Sequence, residues 1–188
     1  MNKKLNIYLF KKRAQKYLSA TPRQHHFVSY EKAKTVLLLF GSDYSEKNPV
    51  VRKIIYALQQ DGKKVTAWGF ADKKETTSVI LPDYRILNHK QIDFFQKPLS
   101  SFIKELQETE FDLLIDLTLN VVLPQEYLAM YANVSFKTGV RKSNLPMYDF
   151  ILDLDNVQPS TDSSENPIDE MYVYNQIIFY LKSIQTND

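Results

Sequence analysis

The sequence contains no cysteine, which excludes disulfides, thiolate metal sites and cysteine nucleophiles and leaves the redox compartment open. Glycine is scarce as well, at four in 188 residues, against a usual share near 7%. A glycine-rich phosphate cradle therefore has no material to be built from. Neither G-x-G-x-x-G nor G-x-x-x-x-G-K-[ST] occurs, so the ordinary dinucleotide and P-loop patterns are excluded. Histidine is limited to His25, His26 and His89. None stands beside a G-x-S-x-G elbow, and adjacent histidines point apart on regular structure, so neither serine-hydrolase chemistry nor a metal site is expected. No run approaches the 18 apolar residues of a membrane span. The apolar stretch Ile7 to Phe10 is also too short for the apolar core of a signal peptide. The reading is a cytoplasmic protein without cofactor, with membrane association left to the N-terminal segment.

What is present fits a chain that folds in water: 44% hydrophobic and 24% charged residues, close to the globular mix. The net charge of +2 hides an uneven placement. Residues 1–34 hold nine Lys or Arg against Glu31, whereas the remainder carries 15 basic and 21 acidic groups. Ile7, Phe10, Ala14, Tyr17 and Leu18 recur at spacings of three and four, which predicts a helix with one apolar stripe. Lys3, Lys4, Lys11, Lys12, Arg13 and Lys16 supply its polar side. Such a helix either docks on its own domain or meets an anionic membrane or RNA. Thr21-Pro22 ends it, giving an N-terminal helical segment 1–22 and a single α/β domain over 23–188.

From residue 35 onward the pattern alternates. TVLLLF (35–40) reads as a strand buried on both faces. Asn48-Pro49 reads as a helix cap with proline at the first turn, and Gly62 as the left-handed stop. KVTAWGF (64–70) completes a β-α-β unit. A strand at 84–87, a helix at 98–107, strands at 111–117, 134–138 and 148–154, and a short helix at 124–131 follow. The polar segment 155–167 reads as a loop, and Asn166-Pro167 as the cap of a last helix, 168–184. That helix is apolar over a wide arc, with Met171, Tyr174, Ile178 and Leu181 on one face. Its surplus apolar surface points to burial or to a homodimer through it.

In such sheets ligands bind beyond the carboxyl ends of the strands. The expected site is therefore Ser42, Asp43, Thr118, Asn120, Arg141 and Lys142 for binding, with Asp116 and Asp153 as candidate general bases. Arg141 with Lys142 can clamp a phosphate or carboxylate. Aspartates at strand ends also serve as structural caps. The spacing Asp153-x-Asp155-x-Val157 resembles the D-x-D-x-[TV] loop of haloacid-dehalogenase-type phosphatases. With the chain ending at Asp188, the later motifs of that family have no place.

Residues 111–154, with FDLLIDL and ANVSFKTGVR, resemble the N-terminal Rossmann-like half of bacterial lipopolysaccharide heptosyltransferases. The whole chain is also similar to a family of small uncharacterised bacterial proteins of the Bacteroidetes type, sharing the F-D-L-L-I-D and F-K-x-G stretches. The alternation of strands and helices points to a three-layer Rossmann-like α/β domain with a mostly parallel sheet of about six strands, flanked by the N-terminal basic helix and the C-terminal apolar helix, a fold in keeping with the heptosyltransferase resemblance. That resemblance implies fold more than activity. The expected function is a non-catalytic binding or interaction module. Its alternatives are a glycosyltransferase-like or phosphoryl-transfer enzyme, and a peripheral membrane or RNA-binding protein.

Overall fold

The computed structural model describes residues 3–21, 27–42, 48–71, 79–80, 84–155 and 168–184. In chain order the elements are α1 (Lys3–Ala20), β1 (Thr35–Ser42), α2 (Pro49–Gln60), β2 (Lys64–Ala71), β3 (Val79–Ile80), β4 (Tyr84–Leu87), α3 (Ser100–Glu108), β5 (Phe111–Asp116), α4 (Leu123–Tyr131), β6 (Val134–Val140), β7 (Phe150–Leu152) and α5 (Glu170–Ser183). They form a Rossmann-like three-layer α/β fold around one sheet of order β3-β4-β2-β1-β5-β6-β7. Six strands run parallel, and β3 pairs antiparallel with β4 at one edge. The expected strands are all present. β3 is the addition, and β7 is shorter than the 148–154 expected.

β1 is apolar on both faces because each face is covered. Val36, Leu38 and Phe40 pack under α2 and α5, while Leu37 and Leu39 pack under α1, α3 and α4. Asn48 caps α2 by accepting from the Val51 amide at 3.1 Å, with Pro49 at the first turn. Gly62 stops it with φ +75°, where the amides of Gly62 and Lys63 return to the carbonyls of Gln59 and Leu58 at 3.0 Å each. This is the glycine-terminated end expected, since only glycine adopts that backbone without strain.

α1 docks by Asn6, Phe10 and Ala14, all buried, and Phe10 meets Tyr127 edge-on at 4.8 Å. Asp169, rather than Asn166, caps α5, accepting from the Tyr172 amide at 2.8 Å; Asn166-Pro167 lies outside the described residues. α5 buries Val173, Tyr174, Ile177, Ile178 and Leu181 and leaves Phe179 63% and Tyr180 43% exposed. Among the described residues no helix is long and apolar enough to cross a membrane.

After β1 the chain moves through α2 to β2 and β4 on one side. It returns through α3 to β5 on the other side of β1. The seam between β1 and β5 is therefore the switch point of the topology, since β1 leads to α2 on one face of the sheet and β5 to α4 on the other.

Candidate functional site

A cleft of about 730 Å3 opens at the carboxyl ends of β1 and β5, with Gly41, Asn48, Thr118, Asn120, Asp169 and Glu170 on its walls. Its geometry follows from three helix or strand ends meeting there. Glu170, in the first turn of α5, reaches across to the end of β1. Its Oε1 accepts from the Gly41 amide at 3.1 Å, and its Oε2 accepts from Asn48 Nδ2 at 3.3 Å. The ends of β1, α2 and α5 are thus tied by one carboxylate. A second cavity, about 500 Å3, lies between the C-terminal part of α1, the end of α4 and Met147, at the amino end of β6. It lies away from the strand carboxyl ends.

Directly beneath the cleft lies a buried polar cluster. Asp116 ends β5 on the face that α4 covers, and it is fully buried. Its Oδ1 accepts from the Thr118 amide at 2.9 Å and from Thr118 Oγ1 at 2.6 Å. Its Oδ2 accepts from Lys142 Nζ at 2.6 Å and from the Tyr148 hydroxyl at 2.5 Å. Four donors fill the four lone-pair sites of an ionised carboxylate. Lys142 Nζ also lies 2.8 Å from Glu126 Oε1 and donates to Thr118 Oγ1 at 2.6 Å.

Two carboxylates therefore face one ammonium in a site where both partners of each pair are at most 2% exposed. Burial pushes Glu126 above the ordinary carboxyl range, against the pull of Lys142. Burial by itself would lower Lys142, but Asp116 and Glu126 outweigh it and hold the ammonium charged. Burial, with the two carboxylates nearby, keeps the Tyr148 phenol protonated. Beside the cluster, Gln125 Nε2 donates to the carbonyls of Phe40 at 2.9 Å and Trp68 at 3.1 Å, fixing α4 over the ends of β1 and β2. Among the described residues its buried Oε1 has no hydrogen-bond partner, whereas the buried Glu126 Oε1 is held by the Lys142 ammonium.

Of the residues expected at the site, Thr118 and Asn120 line the cleft, and Asp116 and Lys142 join beneath it. Ser42 ends β1, and Asp43 lies outside the described residues. Arg141 and Lys142 do not converge, since neighbours on extended chain point to opposite sides. Arg141 turns outward and pairs with Asp153 at 2.7 Å, both more than 40% exposed. Asp153 Oδ1 accepts from the Asp155 amide at 3.1 Å. That bond first, and Arg141 second, hold the Asp153 carboxyl below its usual range. Asp153 is thus a surface turn residue separate from Asp116. Glu126, Tyr148, Gln125 and Glu170 were not foreseen. The signal for the first lay in LPQEYLAMY, a helix buried from Leu123 to Met130 that still carries Gln125 and Glu126. A helix apolar all round has no surface position for a charge, so that charge is committed to a partner.

Among the described residues no group of three or more His, Cys, Asp or Glu is arranged to hold a metal ion. His89 opens a short 3-10 turn and meets Phe70 edge-on at 5.8 Å, whereas His25 and His26 lie outside the described residues. Residues 111–154 fold as β5-α4-β6-β7. A family of unknown function, DUF6913, matches residues 6–183. No curated protein and no solved structure matches the chain.

Proposed function

Because the chain belongs to this family of unknown function, its role has to be read from its own side chains, and we propose that it is a non-catalytic α/β module binding a small polar ligand in the crevice between β1 and β5. The observation that carries this reading is the saturation of Asp116. A general base needs a free lone pair aimed at a substrate proton. Both oxygens of Asp116 already accept two bonds each from within the chain, so the cluster serves as a floor that fixes the Thr118–Asn120 turn. The cleft above supplies recognition instead.

The ligand class follows from the lining. Among the described residues Asp169 and Glu170 are the charged residues on the walls, and no Lys or Arg is among them. A phosphate entering here would meet carboxylates, at a cost of like-charge repulsion. A neutral polyol or an amine would instead offer its donors to Glu170, Asn120 and the strand-end carbonyls. The charge balance disfavours the sugar-phosphate and nucleotide alternatives.

The test is a thermal-shift series with a hexose, a polyamine and a nucleoside triphosphate, alongside a native mass spectrum of protein purified gently from its host. The hexose or the polyamine is expected to raise the melting temperature and the triphosphate to leave it unchanged, with the rise lost in Asn120→Trp, which fills the cleft. Stabilisation by the triphosphate alone would overturn the ligand class. Turnover lost in Asp116→Asn at unchanged stability would replace the binding module with a transferase. The same spectrum counts subunits. Phe179 and Tyr180, the latter 5.7 Å from Phe150 of edge strand β7, form the surface through which a dimer would pair.

A further inference from the structure

Independently of the crevice, we propose that the outer face of α1 docks on an anionic lipid surface. The rotation of this helix is fixed by its inner contacts. Asn6, Phe10 and Ala14 are buried, Tyr17 meets Tyr131 edge-on at 4.8 Å, and Arg13 lies over the Phe95 ring at 4.5 Å while donating to the Tyr127 hydroxyl at 3.4 Å. At 3.6 residues per turn the opposite side then presents Leu5, Tyr8 and Lys12, flanked by Lys4 and Lys11 on one side and Lys16 on the other. Leu5 is 51% and Tyr8 62% exposed. The helix has no acidic residue, and among the described residues no ion pair holds Lys11, Lys12 or Lys16.

Two apolar side chains one turn apart, ringed by ammonium groups, match the boundary between headgroups and acyl chains. Leu5 and the Tyr8 ring enter the apolar side, while the lysine stems lie along it and their charges reach the anionic headgroups. The wider charge distribution agrees. Outside residues 1–34 the chain has six more acidic than basic groups, so the molecular field turns α1 toward a negative surface and the other faces away. A nucleic acid would engage the lysines but has no place for Leu5, which is why the lipid surface is the occupant inferred. Contact lies in the plane of the interface, since α1 is too polar to cross a membrane.

Co-sedimentation of the full chain with phosphatidylcholine vesicles, with and without about one-third phosphatidylglycerol, tests this. Binding is expected only to the anionic vesicles and is expected to fall as salt rises. Each ammonium near the surface contributes roughly fivefold, so Lys11→Glu with Lys12→Glu is expected to weaken binding by well over tenfold. Leu5→Ser with Tyr8→Ser is expected to weaken it severalfold at low salt. All four positions point outward, so melting temperature serves as the folding control. The wild-type salt series needs no variant at all. Equal binding to neutral and anionic vesicles, or no binding, overturns the proposal. So does anionic-vesicle binding indifferent to Leu5 and Tyr8 and matched by a single-stranded RNA of equal charge, which would assign the lysines to polyanions in general.

Discussion

Tyr148 lies so close against Gly139 that a Cβ at position 139 would stand 2.9 Å from its Cε1 and 3.0 Å from its Cζ. The missing side chain on β6 leaves room for the Tyr148 ring, whose hydroxyl donates to Asp116. Gly139 is thus selected by close approach and not by backbone angle. Gly41 at the end of β1 differs, because a Cβ there would meet Glu170 Oε1 at an ordinary 3.7 Å.

Gly139→Ala is therefore expected to cost about 1–3 kcal/mol, the usual penalty for overpacking a filled site. Gly41→Ala is expected to be nearly neutral. Urea unfolding of the two variants beside the wild type decides it. A Gly139→Ala protein as stable as the parent would mean that the Tyr148 ring is free to move off and that the cluster is not rigid.

The cluster makes a second prediction, with a pH sign attached. Lys142→Met leaves the buried Asp116 and Glu126 without their cation, which is expected to cost about 3–5 kcal/mol at neutral pH. Glu126→Gln acts differently. Burial raises the Glu126 pKa above its ordinary 4.5, so the folded chain holds that proton more firmly than the unfolded chain does. The resulting contribution is full below about pH 4.5 and is lost as pH rises through the folded value. The variant cannot ionise, and its stability is expected to decline less with rising pH above that point, with the two proteins closest on the acid side. Parallel stability–pH curves for Glu126→Gln and wild type would show that the fold does not raise the Glu126 carboxyl.

Much of the architecture was legible because its causes are local. β1 carries an unbroken apolar run from Val36 to Phe40 and β5 an apolar centre from Leu113 to Ile115, and α2 carries its cap, its first-turn proline and its terminal glycine in sequence. β3 was not legible, since two residues that pair only with β4 leave no periodicity to read. The site was legible by halves. Asp116 and Thr118 follow from strand-end position, but the partners that define them come from elsewhere in the chain, Lys142 and Tyr148 from the segment after β6 and Glu126 from α4. Nothing in residue type tells that Lys142 turns in while Arg141 turns out. Alternation along extended chain does separate the two, and that rule argues against reading adjacent basic residues as one clamp. The bridge from Glu170 to Gly41 spans most of the sequence and is set by tertiary packing alone.

At the opposite end of the sheet the carboxylate of Asp112 ties β5 to β1. Asp112 Oδ2 accepts from the Lys34 amide at 2.7 Å, the Thr35 amide at 2.8 Å and Thr35 Oγ1 at 3.0 Å, while Thr35 Oγ1 accepts from the Asp112 amide at 2.9 Å. Partial burial would raise this carboxyl, but the donors from Thr35 and Lys34 outweigh it and hold it below its ordinary 3.8. A lowered carboxyl contributes stability above its unfolded value and loses it as pH falls through the folded one. Asp112→Ala removes all three acceptor contacts and is expected to cost about 1–3 kcal/mol at neutral pH, as for hydrogen bonds to a charged group. The gap between variant and wild type is then expected to shrink as the solution is acidified below 3.8. Urea midpoints at neutral pH and well into that acid range measure it. A gap that stays constant would place the contribution in the packing of the residue and not in its charge.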